Sequence, residues 1–599
     1  MNLLFPLALA AALWLGACAT PPRPVAEAPP AMPEVASGAT DKAGWRVRRQ
    51  AVAAANPLAA EAGHRMLRAG GSALDAAVAV QMVLTLVEPQ SSGIGGGAFL
   101  LHWDGRAVQA WDGRETAPAA ADERLFLQPD GQPLPMLQAI VGGRPVGVPG
   151  VVRMLEAAHR DHGRLPWAQL LQPAIELAEA GFAVSPRLFT QLQGDPALRQ
   201  DRLAAAYFYR ADGQPHPVGH RLRNPALATV LRAIAAQGSA ALHQGPVAAD
   251  IVARVRAHPS NPGRLSAADL AGYQPRLREA LCTDWGARWR VCGMPPPSSG
   301  HLAVMQILGL LDRMAPVALP LQAGVPGPDW LHAYAEAARL AFADRAQFVA
   351  DPDFVTAPAG RWGSLLDDAY LRQRAALVGP RSLGTAPAGR PGGAPLAFAP
   401  QPAQPEAGTS HLSIVDAEGR AVAMTTSIEA QFGARLMSDG GTGLPGGFLL
   451  NNQLTDFSFV PADAQGRPVA NRVQAGKRPR SSMSPTLVFD RGSGQLQMVL
   501  GSPGGAAIIH FTARTLIAAR DWGLDVQQAI ALPNFGSFNG PATVLERGRF
   551  PEATRQALRS RGHQVVEADL PSGLQALQRT PEGWFGGADP RREGVVSGD

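Results

Sequence analysis

The chain has 599 residues, 46 % of them hydrophobic and 17 % charged, with a formal net charge of +5. A charged fraction below the usual level of about 25 % excludes a disordered polyelectrolyte and a coiled coil. The only lysines are Lys42 and Lys477 and the arginines are scattered, which excludes a nucleic-acid surface built on a basic stripe; three cysteines exclude a disulfide scaffold and a Cys-rich metal site.

The first element is an uninterrupted apolar run from Leu3 to Leu15. It is shorter than the roughly 18 residues of a membrane span and matches a signal peptide. It leads into Leu15-Gly16-Ala17-Cys18, the pattern of a bacterial lipobox, in which cleavage before Cys18 frees that residue for acylation. An ordinary signal peptide cut nearby is the other reading. Residues 1–17 are thus a signal peptide, and 18–45, rich in Pro and Ala, a tether. Acidic residues are absent just after Cys18, as in outer-membrane lipoproteins.

Helical and strand-like segments alternate from residue 46 to about 380. Asn56-Pro57 starts a helix, with Asn at the N-cap and Pro at the first position, and Gly70-Gly71 stops it. Ser72 caps a mostly apolar helix from Ala73 to Val87. Phe99–Trp103 and Ala107–Trp111 read as strands joined by Asp104-Gly105. Helices follow at Val151–His159, Ala168–Ala180 and Trp330–Phe348. Cys282 and Cys292 flank a turn-like centre, Thr283–Ala287; a cross-hairpin disulfide and two buried thiols are both open. Residues 379–408 are dominated by Pro, Gly and Ala without periodicity and read as a flexible connector. Strands then run over Thr409–Asp416 and Arg420–Ser427, and at Gly447–Leu450, Thr486–Phe489 and Gln495–Leu500. A helix begins near Ala506.

Four places suggest chemistry. Thr409 opens a core strand directly after the connector. Its hydroxyl can attack the Gly408 carbonyl, and once it is N-terminal its amine can take the proton from its own hydroxyl. Gly501-Ser-Pro-Gly-Gly505 lies between a strand and a helix, where bare backbone N–H groups stabilise an oxyanion. Ser481 and Ser482 follow Lys477-Arg478-Pro-Arg480, and hydroxyls beside a guanidinium suit a carboxylate. Asn451-Asn-Gln-Leu-Thr-Asp456 offers amides and a carboxylate to an ammonium. Each also reads as a plain turn or strand start. Neither G-x-S-x-G nor H-E-x-x-H occurs. Gly441-Thr-Gly-Leu-Pro-Gly446 fits G-x-G-x-x-G but lacks the strand-to-helix context of a nucleotide site.

Together these pieces resemble the γ-glutamyltransferase family of N-terminal nucleophile hydrolases. The resemblance spans about residues 46–590. It rests on Asn56-Pro57 to Gly63, Gly70 to Val78, Val87 to Gly97, Gly113-Arg-Glu-Thr-Ala-Pro118, Met294-Pro-Pro-Pro-Ser-Ser-Gly300, Thr409-Ser-His411, Asn451 to Phe457, Lys477 to Pro485 and Gly501 to Gly505.

The resemblance implies an α+β fold, a four-layer αββα sandwich. A precursor cut at Gly408-Thr409 would form it from a large subunit (46–408) and a small catalytic subunit (409–599). Thr409 is the implied nucleophile and Ser427, where relatives carry Thr, its hydrogen-bond partner. Gly504 and Gly505 are the implied oxyanion hole. Arg114, Ser481 and Ser482 are expected to hold the α-carboxylate of a γ-glutamyl group, and Glu429, Gln453 and Asp456 its amine. Glu429 stands where some members have Asn, and no Tyr lies between Asp456 and Ser481 for a lid. No metal or cofactor is implied. The expected activity is transfer of the γ-glutamyl group of glutathione to water, amino acids or peptides, in the cell envelope or periplasm on a lipid anchor. The alternatives are a glutaryl acylase for cephalosporins with the same fold, which needs no amine site, and an inactive surface lipoprotein.

Overall fold

The computed structural model describes residues 36–317, 320–393 and 396–599. The predicted signal peptide, the predicted lipid site Cys18 and the start of the tether lie outside them. The end of the tether is fastened to the body. Ser37 N and Thr40 N donate to the carbonyls of Arg591 and Pro590, each at 2.9 Å. Lys42 Nζ donates to those of Asp589 and Arg592, each at 2.8 Å.

Fourteen strands build the centre. They are β1 (Trp45–Val47), β2 (Ala51–Ala54), β3 (Gly97–Trp103), β4 (Val108–Gly113), β5 (Arg276–Glu279), β6 (Leu281–Trp285), β7 (Trp289–Gly293), β8 (Ser410–Val415), β9 (Ala421–Ser427), β10 (Thr486–Asp490), β11 (Leu496–Gly501), β12 (Gln575–Thr580), β13 (Gly583–Ala588) and β14 (Val595–Gly598). Two antiparallel seven-stranded sheets result, ordered β14-β2-β8-β9-β3-β4-β5 and β1-β13-β12-β11-β10-β7-β6.

The period-2 alternation of strand side chains sorts the core into layers. Leu412, Ile414, Val422, Met424 and Leu100 join a core with the helices α1 (Pro57–Arg68) and α2 (Ala73–Val87). Their neighbours Val415, Ala421, Ala423, Phe99 and Leu101 point the other way and meet Leu487, Phe489, Val499 and Leu577 of the second sheet. Val488, Met498 and Leu500 face α3 (Gly300–Leu311), α4 (Pro328–Phe348) and α5 (Ile508–Asp521). The layers are helix, sheet, sheet, helix. Each fully buried aliphatic or aromatic side chain contributes about 1.5–3 kcal/mol, so three such cores hold the sandwich together. Local signals agree with it. Asn56 accepts from Leu58 N ahead of Pro57, and Ser72 with Asp75 forms a capping box on α2.

The structure departs from the sequence reading in four places. Thr283 to Trp285 belong to β6, and the turn is confined to 286–288; Cys282 and Cys292 are register partners and are bonded to each other. The strand expected at Gly447–Leu450 shrinks to Phe448–Leu449, because Gly446 and Gly447 adopt φ of 94° and 133°. The helix near Ala506 starts as a tight turn, Gly505–Ala507, before α5 begins at Ile508. The connector is largely irregular, as its composition predicts, yet it is packed down, with Ala386, Ala399 and Ala407 buried.

Candidate active site

Gly408, at φ 67°, swings the chain from the connector into β8, a conformation that Gly adopts without a Cβ penalty. Thr409 therefore stands buried at the mouth of a central strand between β2 and β9. Its hydroxyl Oγ1 contacts the carbonyl oxygen of Gly408. Register pairs Ser410 with Thr426, which brings Ser427, the last residue of β9, beside that same carbonyl. Ser427 Oγ accepts from Glu429 N at 2.8 Å and donates to Gly408 O at 2.6 Å. The serine thus has its proton aimed at the carbonyl next to the threonine hydroxyl.

His411, two residues into β8, is not a base for this hydroxyl. Burial pushes it down to about 3, and its ring bonds Thr425 Oγ1 at 2.8 Å and Ser413 Oγ at 3.1 Å.

Glu429 follows at φ 72°, a left-handed conformation uncommon outside glycine. Its Oε1 accepts from Ala407 N at 2.9 Å and its Oε2 from Gln453 Nε2 at 3.0 Å. Gln453 and Asp456 sit in one 3₁₀ turn, Gln453–Asp456, where residues three apart eclipse. Gln453 Nε2 consequently also reaches Asp456 Oδ2 at 3.0 Å. Two acceptors in this group, Asp456 Oδ1 and Gln453 Oε1, are buried without a hydrogen-bond partner. Burial raises the carboxyls of Glu429 and Asp456 above their ordinary range. For Glu429 the neighbouring Asp456 charge adds to this, while for Asp456 the Arg114 guanidinium opposes it. Idle buried acceptors beside an acidic pair can accept from a donor-rich cation.

Arg114 follows the end of β4 and is fully buried. Its Nη2 pairs with Asp456 Oδ2 and donates to Arg480 O at 2.9 Å, and its Nε donates to Pro479 O at 3.1 Å. The arginine expected on the carboxylate side and the aspartate expected on the amine side therefore hold each other. Glu115, 3.9 Å from Arg114 Nη1, is pushed up to about 8 by burial.

The Ser481 and Ser482 hydroxyls differ in role. Ser481 Oγ accepts from Met483 N at 3.1 Å. Ser482 Oγ accepts from Arg345 Nη2 at 2.6 Å and donates to Glu406 Oε2. Gly504 and Gly505 have φ of 136° and 54°. A Cβ on Gly505 would stand 2.0 Å from Glu406 O, so this turn lies directly against the connector.

These groups converge on one strand mouth in a stacked-sheet fold. The profile of the Gamma-glutamyltranspeptidase family matches residues 59–599. The chain belongs to the gamma-glutamyltranspeptidase family. The glutathione hydrolase proenzyme of Pseudomonas aeruginosa is 34 % identical over 554 residues, 91 % of this chain and 94 % of that one. The glutathione hydrolase proenzyme of Escherichia coli is 33 % identical over 592 residues, 97 % of this chain and 96 % of that one. A crystal structure of cephalosporin acylase from Bacillus halodurans superposes with a TM-score of 0.79 at 27 % identity, covering 94 % of this chain and 97 % of that one.

Within this gamma-glutamyltranspeptidase chain, Thr409, Ser427, Glu429, Gln453, Asp456 and Arg114 form one connected set, and Ser482 joins it through the connector. The sequence reading missed Glu406 and Arg345. Glu406 carries a signal, since it is the sole acidic residue between 379 and 408. Arg345 has none, being one of two arginines on α4. One group of metal-ligand type gathers among the described residues, His332, Glu336 and His563. Its groups are already engaged: His332 Nδ1 bonds His563 Nε2 at 2.8 Å, and Glu336 accepts from Ser382 Oγ and Leu383 N at 2.8 Å each and from Arg339 Nε at 3.1 Å. No helix of the described residues is long and apolar enough to cross a membrane.

Proposed function

We propose that this chain is a γ-glutamyl acyltransferase and glutathione hydrolase, made as a precursor that cuts itself between Gly408 and Thr409. Thr409 Oγ1 attacks the Gly408 carbonyl, the peptide nitrogen leaves, and water opens the resulting ester. Residues 46–408 and 409–599 then remain as large and small subunits of one sandwich, and the freed amine of Thr409 serves as base for its own hydroxyl.

In the second reaction Thr409 Oγ1 attacks the γ-amide carbonyl of glutathione or a similar donor. Cysteinylglycine leaves with the proton, and water or an amino acid or peptide amine takes the γ-glutamyl group from the ester. Gly504 and Gly505 N–H groups stabilise the oxyanions, the Arg114–Ser481–Ser482 side receives the α-carboxylate, and Glu429, Gln453 and Asp456 receive the amine. The observation that carries the choice of acyl group is the pair of idle buried acceptors, Asp456 Oδ1 and Gln453 Oε1. An α-ammonium satisfies both; a glutaryl group, which lacks the amine, satisfies neither. The acylase reading draws on the likeness to the Bacillus halodurans enzyme and is separated by comparing γ-glutamyl and glutaryl anilides. A lipid anchor at Cys18, in the envelope or on the outer membrane, belongs to the same proposal and rests on Leu15-Gly16-Ala17-Cys18.

The central test is Thr409→Ala. A single uncut band of full length with no turnover is expected, checked by gel and by mass spectrometry. A cut or active variant overturns the assignment of Thr409.

A further inference from the structure

Glu406 is held as a ligand rather than as part of a loop. Its Oε1 accepts from Arg345 Nη2 at 2.6 Å and lies 3.5 Å from Arg480 Nη2, and its Oε2 takes the Ser482 hydroxyl. Arg345 is oriented by Ser299 Oγ at 2.8 Å and by Ser482 Oγ at 2.6 Å. Both arginines are buried. Although burial works against it, the charges of Arg345 and Arg480 pull Glu406 down to about 2, so it is ionised throughout the physiological range.

The charge balance is uneven across the site. Arg114 is already matched by Asp456. Among the described residues, Glu406 is the one carboxylate that pairs with Arg345 or with Arg480, and Arg480 Nε is buried with no partner. The two guanidinium groups line a cavity of about 670 Å³ that also borders Gly504, and departure of the connector takes their carboxylate away. Two uncompensated buried cations demand an anion. The same short segment covers the rest of the site: Ala407 N is on Glu429, and Glu406 O is against Gly505. Glu406-Ala407 thus touches the groups assigned above to the donor's carboxylate, amine and oxyanion.

We propose that Arg345 and Arg480, with Ser482, form the cationic wall of the carboxylate site of the processed enzyme, and that Glu406 is the precursor's own carboxylate occupying it. The inference rests on the proposed acyl transfer. Arg345 and Arg480 add to Arg114, whose charge is shared with Asp456, and Glu406 keeps donors out until the connector withdraws.

Three anilides separate the groups. The γ-glutamyl anilide carries both amine and carboxylate, the glutaryl anilide the carboxylate alone, and the 4-aminobutyryl anilide the amine alone. Arg480→Leu and Arg345→Gln are expected to raise KM about 10–100-fold, the range for losing a hydrogen bond to a charged group, for whichever carboxylated anilide the wild type turns over. The 4-aminobutyryl anilide is expected to be unaffected. An unchanged KM for the carboxylated anilides, or an equal loss on all three, overturns the assignment. Because either variant can impair folding or cutting, a second measurement uses processed wild-type enzyme and a synthetic peptide of residues 400–408. Competitive inhibition that weakens at least tenfold when the peptide carries Glu406→Gln is expected. Equal inhibition by both peptides, or none by either, overturns it. Wild type that turns over the glutaryl but not the γ-glutamyl anilide overturns the acyl-group reading and leaves this site standing.

Discussion

Replacing Ser427 by Ala removes one hydroxyl whose two hydrogen bonds are both accounted for. It accepts from Glu429 N at 2.8 Å, which leaves its single proton on the line to Gly408 O at 2.6 Å. In the proposed attack by Thr409 that oxygen becomes the oxyanion, so the bond would strengthen as charge develops. Loss of one such donor costs about 10²–10³ in rate, or roughly 3–4 kcal/mol of barrier. The variant also strands the Glu429 N–H, worth about 1–3 kcal/mol of stability if no water reaches it. The assay is a time course of the precursor band at fixed temperature, with thermal unfolding alongside. Ser427→Ala should cut two to three orders of magnitude more slowly, while Ser427→Thr, which keeps the hydroxyl, should stay within about tenfold of wild type. Cutting of Ser427→Ala at the wild-type rate would refute the reasoning. So would an equal slowing in Ser427→Thr with unfolding unchanged, since the hydroxyl would then not be the cause.

Asp456→Asn breaks a buried ion pair with Arg114 and should lower stability by about 3–5 kcal/mol, read by denaturant unfolding; on the enzyme that folds, KM should rise for the γ-glutamyl anilide far more than for the glutaryl anilide. Glu115 has a pKa raised from 4.5 to about 8 by burial, so the folded state binds the extra proton between those values and stability falls as pH climbs through that window. Glu115→Gln removes the fall, and its melting temperature relative to wild type should rise from pH 5 to pH 8; a constant difference counts against a buried protonated Glu115. Cys282 and Cys292 close a loop with a sequence separation of 10, for which the chain-entropy estimate is about 2–3 kcal/mol. Cys282→Ser should therefore shift the denaturation midpoint without changing the rate of cutting.

Much of this architecture was legible because its signals are local. Asn56-Pro57 and Ser72 announced α1 and α2 through their caps, and the alternation from Thr409 to Ser427 announced the central hairpin. The site motifs were legible through resemblance, because Thr409, Ser481-Ser482 and Gly504-Gly505 each lie in a short ordered string. What failed was pairing over distance. Arg114 and Asp456 are 342 residues apart in the chain, and no periodicity says that they neutralise each other. Arg345 comes from the last turn of a long helix and reaches Glu406 61 residues later. The tight turn at 286–288 was drawn too wide because Thr283 and Asp284 are common in turns, whereas the Cys282–Cys292 register holds them in strand.

The start of the connector is fastened to α4 and its surroundings. Gly379 O takes His332 Nε2 at 2.8 Å, Ala386 N donates to Asn539 Oδ1 at 2.7 Å, and Gly389 N donates to Asp344 Oδ1 at 2.8 Å. Ala399 N and Gln401 N donate to Pro468 O and Ala346 O, each at 2.9 Å, so a cut after Gly408 would leave an arm of roughly seven residues rooted at Gln401, with a flexible end-to-end span of about 15 Å. Such an arm presents Glu406 at an effective concentration in the millimolar range, however dilute the enzyme. Activation then becomes a unimolecular contest between a leashed competitor and free donor. Its course is set by donor concentration and by the leash, and the enzyme's own concentration drops out.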